Sequence, residues 1–355
     1  MPFNSLPFGL SLAAIDSGAA TSFTIDSAFV AGVSGDALGV MHQWREAVSN
    51  QTVLLYVYIT AVTGTPNSVT AYIYNGADDG ENTLRPDIAE GVIYTSDVVD
   101  CSTTGWKVFT FTGVTRTIST TSWFLVTNTT GTPTSNYFDV QVRGALDSAQ
   151  DMANNQAFYG HQSLTNTAGF STDGTLAGGT SPTVVTYPSG ASYGNPYVAA
   201  GAAHASNTNY RGNRFTPTED MQVSGFFGII DTNFTTMHVA QGASELLNLT
   251  VDETSQARSA GAFFAPITLT GGLAYDFLQK AGSADTFSAT FTMGTSPPAN
   301  VQLAGSPLTY VDGATLGSLT ETTTTVYKMA IEISANPAIA GGGGMRLAGH
   351  GGLAS

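Results

Sequence analysis

The chain has 355 residues, of which only 10% are charged and 42% hydrophobic; Thr, Ser, Asn and Gly occupy the share that an ordinary soluble domain gives to roughly 25% charged residues. A formal net charge of −15 excludes the basic footprint of a nucleic-acid binder, and no stretch reaches the roughly 18 consecutive apolar residues of a membrane span. Two hydrophobic cores are expected at this length, because single domains run to about 100 to 200 residues.

From the N-terminus, Ser22 to Val30, Val40 to Trp44, Val53 to Thr60, Val69 to Tyr74, Gly91 to Val98, Trp106 to Phe111, Trp123 to Asn128 and Tyr137 to Val142 are rich in β-branched and aromatic residues. Such runs read as strands. Gly64, Pro66, Gly76, Gly80 and Pro133 mark turns between them. Strands at this spacing predict a jelly-roll-like antiparallel β-sandwich over residues 1–143. In Trp106 to Thr112, Trp106, Val108 and Thr110 fall on one face and Lys107, Phe109 and Phe111 on the other. Large apolar groups on both faces predict a strand covered on both sides.

Residues 144–207 read as a loop-rich connection with one or two strands, such as Pro182 to Tyr187, because Gly178, Gly179, Pro188, Gly190 and Pro196 interrupt them. The strand rhythm returns over residues 208–336 with Met221 to Ile230, Thr236 to Ala240, Leu246 to Glu253, Gly261 to Thr270, Tyr275 to Gln279, Thr286 to Met293 and Thr323 to Ser334. These predict a second β-sandwich. Residues 337–355 form a Gly-rich tail whose ordering entropy its few apolar side chains do not offset. Met345, Arg346, Leu347 and Leu353 are therefore expected to dock on a partner subunit.

Catalytic motifs are weak. Gly190, Ser192 and Gly194 fit the G-x-S-x-G pattern, but that chemistry needs the serine on a turn between a strand and a helix. Pro188 before it and Pro196 after it predict a Gly-rich turn instead. His42, His161, His204, His238 and His350 are scattered without metal-ligand spacing. Cys101 is the single cysteine and is expected to be a small buried thiol. No catalytic residue and no cofactor are expected, and the chain is read as not an enzyme. Asp78, Asp79 and Glu81, in the turn-rich stretch from Asn75 to Glu90, are a weak candidate for Ca²⁺, whose ligands are hard oxygens.

Glycan recognition needs an exposed aromatic ring flanked by hydrogen-bonding side chains. Trp44, beside Gln43 and Arg45, and Tyr72 and Tyr74, leading into the acidic stretch, are the candidates. Trp106 and Trp123 are assigned to the core, where strand aromatics usually sit.

Val69 to Gly76, then Gly91 to Thr95, then Gly105-Trp-Lys-Val-Phe-Thr-Phe-Thr-Gly113, then Thr121 to Val126 resemble the carbohydrate-binding-module-like jelly rolls of tailed-bacteriophage fibre, spike and decoration proteins. The Gly-rich ending from Gly341 to Ser355 is similar to endings of phage structural proteins. The resemblance implies a jelly-roll fold and a virion setting, with synthesis in the host cytoplasm, since Met1 to Pro7 lack the basic and apolar regions of a secretory signal. It implies a homo-oligomer that contacts other virion proteins and a host-surface glycan as a further ligand. A free glycan-binding lectin is the alternative, and a polysaccharide-degrading enzyme stands behind both.

Overall fold

Through Val48–Thr63 the chain buries Val53, Leu55, Val57 and Ile59 while leaving Leu54, Tyr56, Tyr58 and Thr60 half-buried. A period of two is what a strand between a core and an outer surface requires. The described residues make an all-β fold, nearly all of them lying in β-strands and the turns between them. The computed structural model describes residues 21–31, 33–44, 47–78, 84–118, 120–146, 161–166, 177–188, 192–195, 198–200, 208–217, 220–230, 234–250, 258–281, 290–292, 309–322, 326–327 and 329–335. Among these the only helical element is a single 3₁₀ turn, Pro133–Ser135.

In the N-terminal half the strands are β1 (Thr21–Ile25), β2 (Ala37–Gln43), β3 (Val48–Thr63), β4 (Val69–Asp78), β5 (Leu84–Pro86), β6 (Tyr94–Thr95), β7 (Gly105–Arg116), β8 (Thr121–Asn128), β9 (Tyr137–Leu146), β10 (His161–Asn166), β11 (Ala177–Thr180), β12 (Thr183–Thr186) and β13 (Ser192–Asn195). They form one hydrogen-bonded path that doubles back where β9 meets β11. One layer runs β13-β12-β3, with β7 on the other edge of β3, and continues through β9 to β1. The other runs β11-β10-β2-β8-β4, with β5 and β6 on β4.

The layers face each other across a shared core. Leu55, Phe109 and Phe111 come from the first, and Val40, Ile73 and Phe124 from the second. At the β3–β7 bulge Asn50 takes φ 51°, a left-handed conformation that asparagine tolerates better than most residues. A second cluster lies on the back of the β2-β8-β4 layer: Met41, Tyr74, Trp123 and Leu125, with Phe29 and Ile88 folded against them.

The segment expected to be a connection supplies five strands, β10 to β13 and the two-residue Ala199–Ala200, where one or two were expected. β10 pairs with β2 and β12 with β3, and Val185 and Tyr187 enter the N-terminal core. Glycines 178 and 179 weaken any strand signal in the sequence, yet partners on both sides hold β11 in the ladder. Tertiary pairing here overrides local propensity.

The C-terminal half contains β14 (Ala199–Ala200), β15 (Tyr210–Phe215), β16 (Met221–Ile230), β17 (Phe234–Gln241), β18 (Ser244–Thr250), β19 (Arg258–Leu269), β20 (Tyr275–Ala281), β21 (Thr290–Thr292), β22 (Thr309–Gly313), β23 (Thr320–Thr322), β24 (Val326–Tyr327) and β25 (Met329–Ala335). A six-stranded antiparallel sheet, β18-β17-β20-β15-β22-β23, is accompanied by the triplets β19-β16-β25 and β14-β21-β24. The six-stranded sheet is buried on both faces, by Met237, Val239 and Phe277 on one and Ala240, Leu278 and Val311 on the other. Among the described residues, strand pairing divides the chain between Asn195 and Ala199.

Candidate functional site

β3 and β7 pair with Tyr58 opposite Trp106 and Tyr56 opposite Val108. Val57, Ile59 and Phe109, at the alternating positions, go to the core, so these four side chains stand on the outer face. The Tyr58 and Trp106 rings meet edge to face, with centroids 5.4 Å apart and planes at 74°. Tyr56, Tyr58 and Trp106 are half-buried, and Val108 is 38% exposed. Burial raises the Tyr56 phenol above its ordinary pKa, so its hydroxyl keeps its proton at neutral pH. Rings with an apolar body and a polar tip suit a ligand that is itself apolar on one face and hydroxylated at its edges.

Two carboxylates flank this surface. The Thr110 N–H donates to Asp97 Oδ1 at 2.7 Å, and the Asp97 N–H donates to the Thr110 carbonyl at 3.1 Å, which fixes Asp97 beside β7. Asp139 lies on β9 between the buried Phe138 and Val140 and shares the outer face by the alternation of the strand. Its Oδ1 is buried without a hydrogen-bond partner.

The expected aromatic platform is elsewhere in the molecule. Trp44 is 0% exposed and Tyr74 2%, while Tyr72 is half-buried against the cluster behind β2-β8-β4. Trp44 cannot stack on a sugar as expected, because its ring packs on His42, Phe124 and Tyr187 and its indole N–H donates to Ser122 Oγ at 2.8 Å. Polar neighbours in the sequence suggested exposure, but a buried hydroxyl satisfies the indole instead. Tyr74 is excluded as a platform by its burial. Trp123 is in a core as expected, at 1% exposure. Trp106 is not: it shares the outer face with Tyr58. The signal for that face was present in the alternation of Leu54, Tyr56, Tyr58 and Thr60 against Val53, Leu55, Val57 and Ile59.

Ser122 Oγ also accepts from Arg116 Nη2 at 2.6 Å. The same guanidinium donates to Asn75 Oδ1, and Asn75 Nδ2 donates to Glu90 Oε2 at 2.5 Å. Burial lowers the Arg116 pKa, opposed by Tyr94 and Glu90. This chain of bonds ties the end of the sandwich together and holds Arg116 half-buried.

Asp79, Glu81, His204, His350, Met345, Arg346, Leu347 and Leu353 lie outside the described residues, and of Asp78 only the backbone, closing β4, is described. Among the described residues no three His, Cys, Asp or Glu side chains gather as a metal site. His42 Nε2 lies 2.5 Å from the Tyr187 hydroxyl. His238 lies 2.5 Å from Glu245 Oε1 and 2.7 Å from Thr236 Oγ1, and burial lowers its pKa against the pull of Glu245. Burial pushes the Cys101 thiol up to about 12, so it is a poor nucleophile. Ser192 opens strand β13 and does not sit between a strand and a helix.

No family model matches the chain, and no curated protein matches it. Among solved structures, the N-terminal CBM22-1-CBM22-2 tandem domain of Xyn10C from Paenibacillus barcinonensis aligns over 94% of this chain and 96% of its own, at 11% identity and a TM-score of 0.16. Superposition at that score assigns neither fold nor function.

Proposed function

We propose that the chain is a non-enzymatic structural protein of a virus particle whose N-terminal sandwich binds carbohydrate through the outer face of β3 and β7. The observation that carries the carbohydrate reading is the Tyr58–Trp106 pair, half-buried on the outer face of one layer with Tyr56 and Val108 beside it. The back of the other layer is covered by Phe29 and Ile88, whereas on the β3–β7 face Tyr58 and Trp106 are half-buried and Val108 is exposed. The virion setting rests on the low-charge composition, which suits surfaces covered by neighbouring subunits, and on the resemblance of Val69 to Val126 to phage jelly rolls.

A glycan array probed with the purified chain tests the carbohydrate reading. Binding that survives in wild type and is lost in both Trp106→Ala and Tyr58→Ala supports it; an array without signal overturns it. Val108, at 38% exposure, favours a second reading in which a neighbouring subunit covers the same face. Sedimentation separates the two, since Trp106→Ala would then dissociate an oligomer and leave glycan binding unchanged.

A further inference from the structure

β18 lies at one side of the six-stranded sheet of the C-terminal half. It pairs with β17, and among the described residues no other strand pairs with it. Its side chains are open to solvent: Ser244, Glu245, Leu246, Asn248 and Thr250 are exposed, Leu246 at 39%, and Leu247 and Leu249 are only half-buried. In register Leu249 lies opposite Met237 and Leu247 opposite Val239, both 0% exposed, so the two leucines carry an apolar face of the sheet out to its rim. A strand edge of this kind is a template for pairing with another chain. The geometry points to a second copy of this chain as the occupant: two β18 strands pair antiparallel about a two-fold axis at Asn248, joining two six-stranded sheets into one.

The strand is complementary to itself in that register, because Leu247-Asn248-Leu249 reads the same in both directions. Each Leu247 meets the other copy's Leu249, the two Asn248 amides face each other on the axis, and Leu246 lies opposite Thr250. Four half-buried leucines thereby cover one another, the kind of cross-strand pair that stabilises a sheet. A two-fold at Leu247 would instead set Glu245 against Leu249 and desolvate a carboxylate, and one at Leu249 would pair only three of the seven residues of β18. A bulge reinforces the choice. Ala240 pairs with Glu245 and Val239 with Leu247, which interrupts the flat edge at Leu246 and leaves Glu245 outside the paired stretch, 2.5 Å from His238 Nδ1. The two Glu245 carboxylates then stand about 20 Å apart along the strands, at roughly 3.4 Å per residue. That exceeds the Debye length of about 8 Å at physiological salt, so like charges do not oppose the contact. So short a pairing falls below the roughly 1,200 Å² at which stable interfaces begin, and the dimer forms and dissociates with concentration.

The test is sedimentation velocity of the full chain over a concentration series, with wild type, Asn248→Asp and Asn248→Lys, each alone and the two variants mixed. Asn248 is exposed, so both substitutions leave the core untouched, and unchanged circular dichroism and urea midpoints check this. Expected are a monomer–dimer equilibrium for wild type and a dissociation constant raised about tenfold or more in either variant, where like charges meet on the axis. The equimolar mixture, which sets an aspartate opposite a lysine, should recover association. Cysteine cross-linking fixes the register: directly opposed residues of an antiparallel pair have Cα atoms about 4.5–5.5 Å apart, within disulfide reach. Under mild oxidation Asn248→Cys should therefore give a covalent dimer and Ser244→Cys should not, the native Cys101 being buried. Wild type that stays monomeric at every concentration, with no dimer trapped by Asn248→Cys, would overturn the inference. So would a dimer that both charge variants leave intact, or one that Trp106→Ala dissociates and the Asn248 variants do not, since either would place the contact on another surface.

Discussion

His42 Nε2 and the Tyr187 hydroxyl lie 2.5 Å apart, between side chains only 1% and 2% exposed. The contact joins β2 to the residue that follows β12, so it fastens a segment from the middle of the chain into the N-terminal core. Trp44 completes the cluster, its ring 5.7 Å from each partner. Removing the hydroxyl with Tyr187→Phe keeps the ring and strands one buried polar contact. A loss of about 1–3 kcal/mol is expected for such a change, read as a lower urea midpoint at unchanged m value. An unchanged midpoint would mean that the hydroxyl contributes nothing there.

Asp36 is 6% exposed and accepts a hydrogen bond from Ser27 Oγ at 2.5 Å. Burial raises its pKa; Ser27 opposes the rise and the neighbouring Asp26 carboxylate adds to it. A carboxyl with a raised folded-state pKa contributes stability that is fully present below its unfolded pKa and lost as pH rises through the folded value. The charged form is thus the disfavoured one at neutral pH. Asp36→Asn, which removes the charge and keeps an acceptor for Ser27, is expected to raise Tm at pH 7. The gain should vanish below the unfolded pKa, about 4. Thermal melts of both proteins across that range check the sign: a variant less stable at pH 7 would contradict it.

Fold class was legible in the sequence because alternation survives wherever a strand has one core face, as in Val53 to Ile59. Two things hid the rest. β10 to β13 carry Gly178, Gly179 and Gly194, whose place in the ladder comes from strands distant in sequence; at Gly194 a side chain would meet the Thr183 carbonyl at 2.2 Å. Exposure was misjudged for the tryptophans because sequence neighbours do not report on what folds over a strand. Trp44 sits beside polar residues yet finds Ser122 inside, whereas Trp106 sits in an apolar strand and stands half-buried on its outer face beside Tyr58. Tyr56 and Tyr58 shared the parity of the outer face and could have been read from it.

Gln279 occupies the middle of the six-stranded sheet, between Arg211 and Met237 in register. At 1% exposure both its amide nitrogen and its amide oxygen lack hydrogen-bond partners. Desolvating an amide without replacing its bonds to water is unfavourable. Methionine has a similar length and no such requirement, so Gln279→Met is expected to stabilise the protein by about 1–3 kcal/mol. Denaturant titration of the two proteins is the measurement, and a destabilised variant would show that the amide has a partner in solution.

The extent of the N-terminal unit gives the last prediction. A fragment of residues 1–143 contains the strands expected from sequence to complete the first sandwich, but it lacks β10 to β13. Without β12, the Leu54 to Val57 edge of β3 is unpaired on that side; without β10, so is the Ala37 to His42 edge of β2. Val185 and Tyr187 are lost from the core as well. Fully buried side chains of this size contribute about 1.5–3 kcal/mol each, and a domain's whole margin is about 5–15 kcal/mol. Two missing core residues and two opened edges consume much of that margin, and exposed edges also template aggregation. A fragment of residues 1–197 keeps every strand that pairs with β2, β3 and β9. It is expected to give a cooperative thermal transition and the near-ultraviolet circular dichroism of packed Trp44 and Trp123, while residues 1–143 should aggregate or give neither signal. A shorter fragment that melts cooperatively at the temperature of the longer one would place the end of the unit before β10, and would make β10 to β13 an accessory layer with no part in the core.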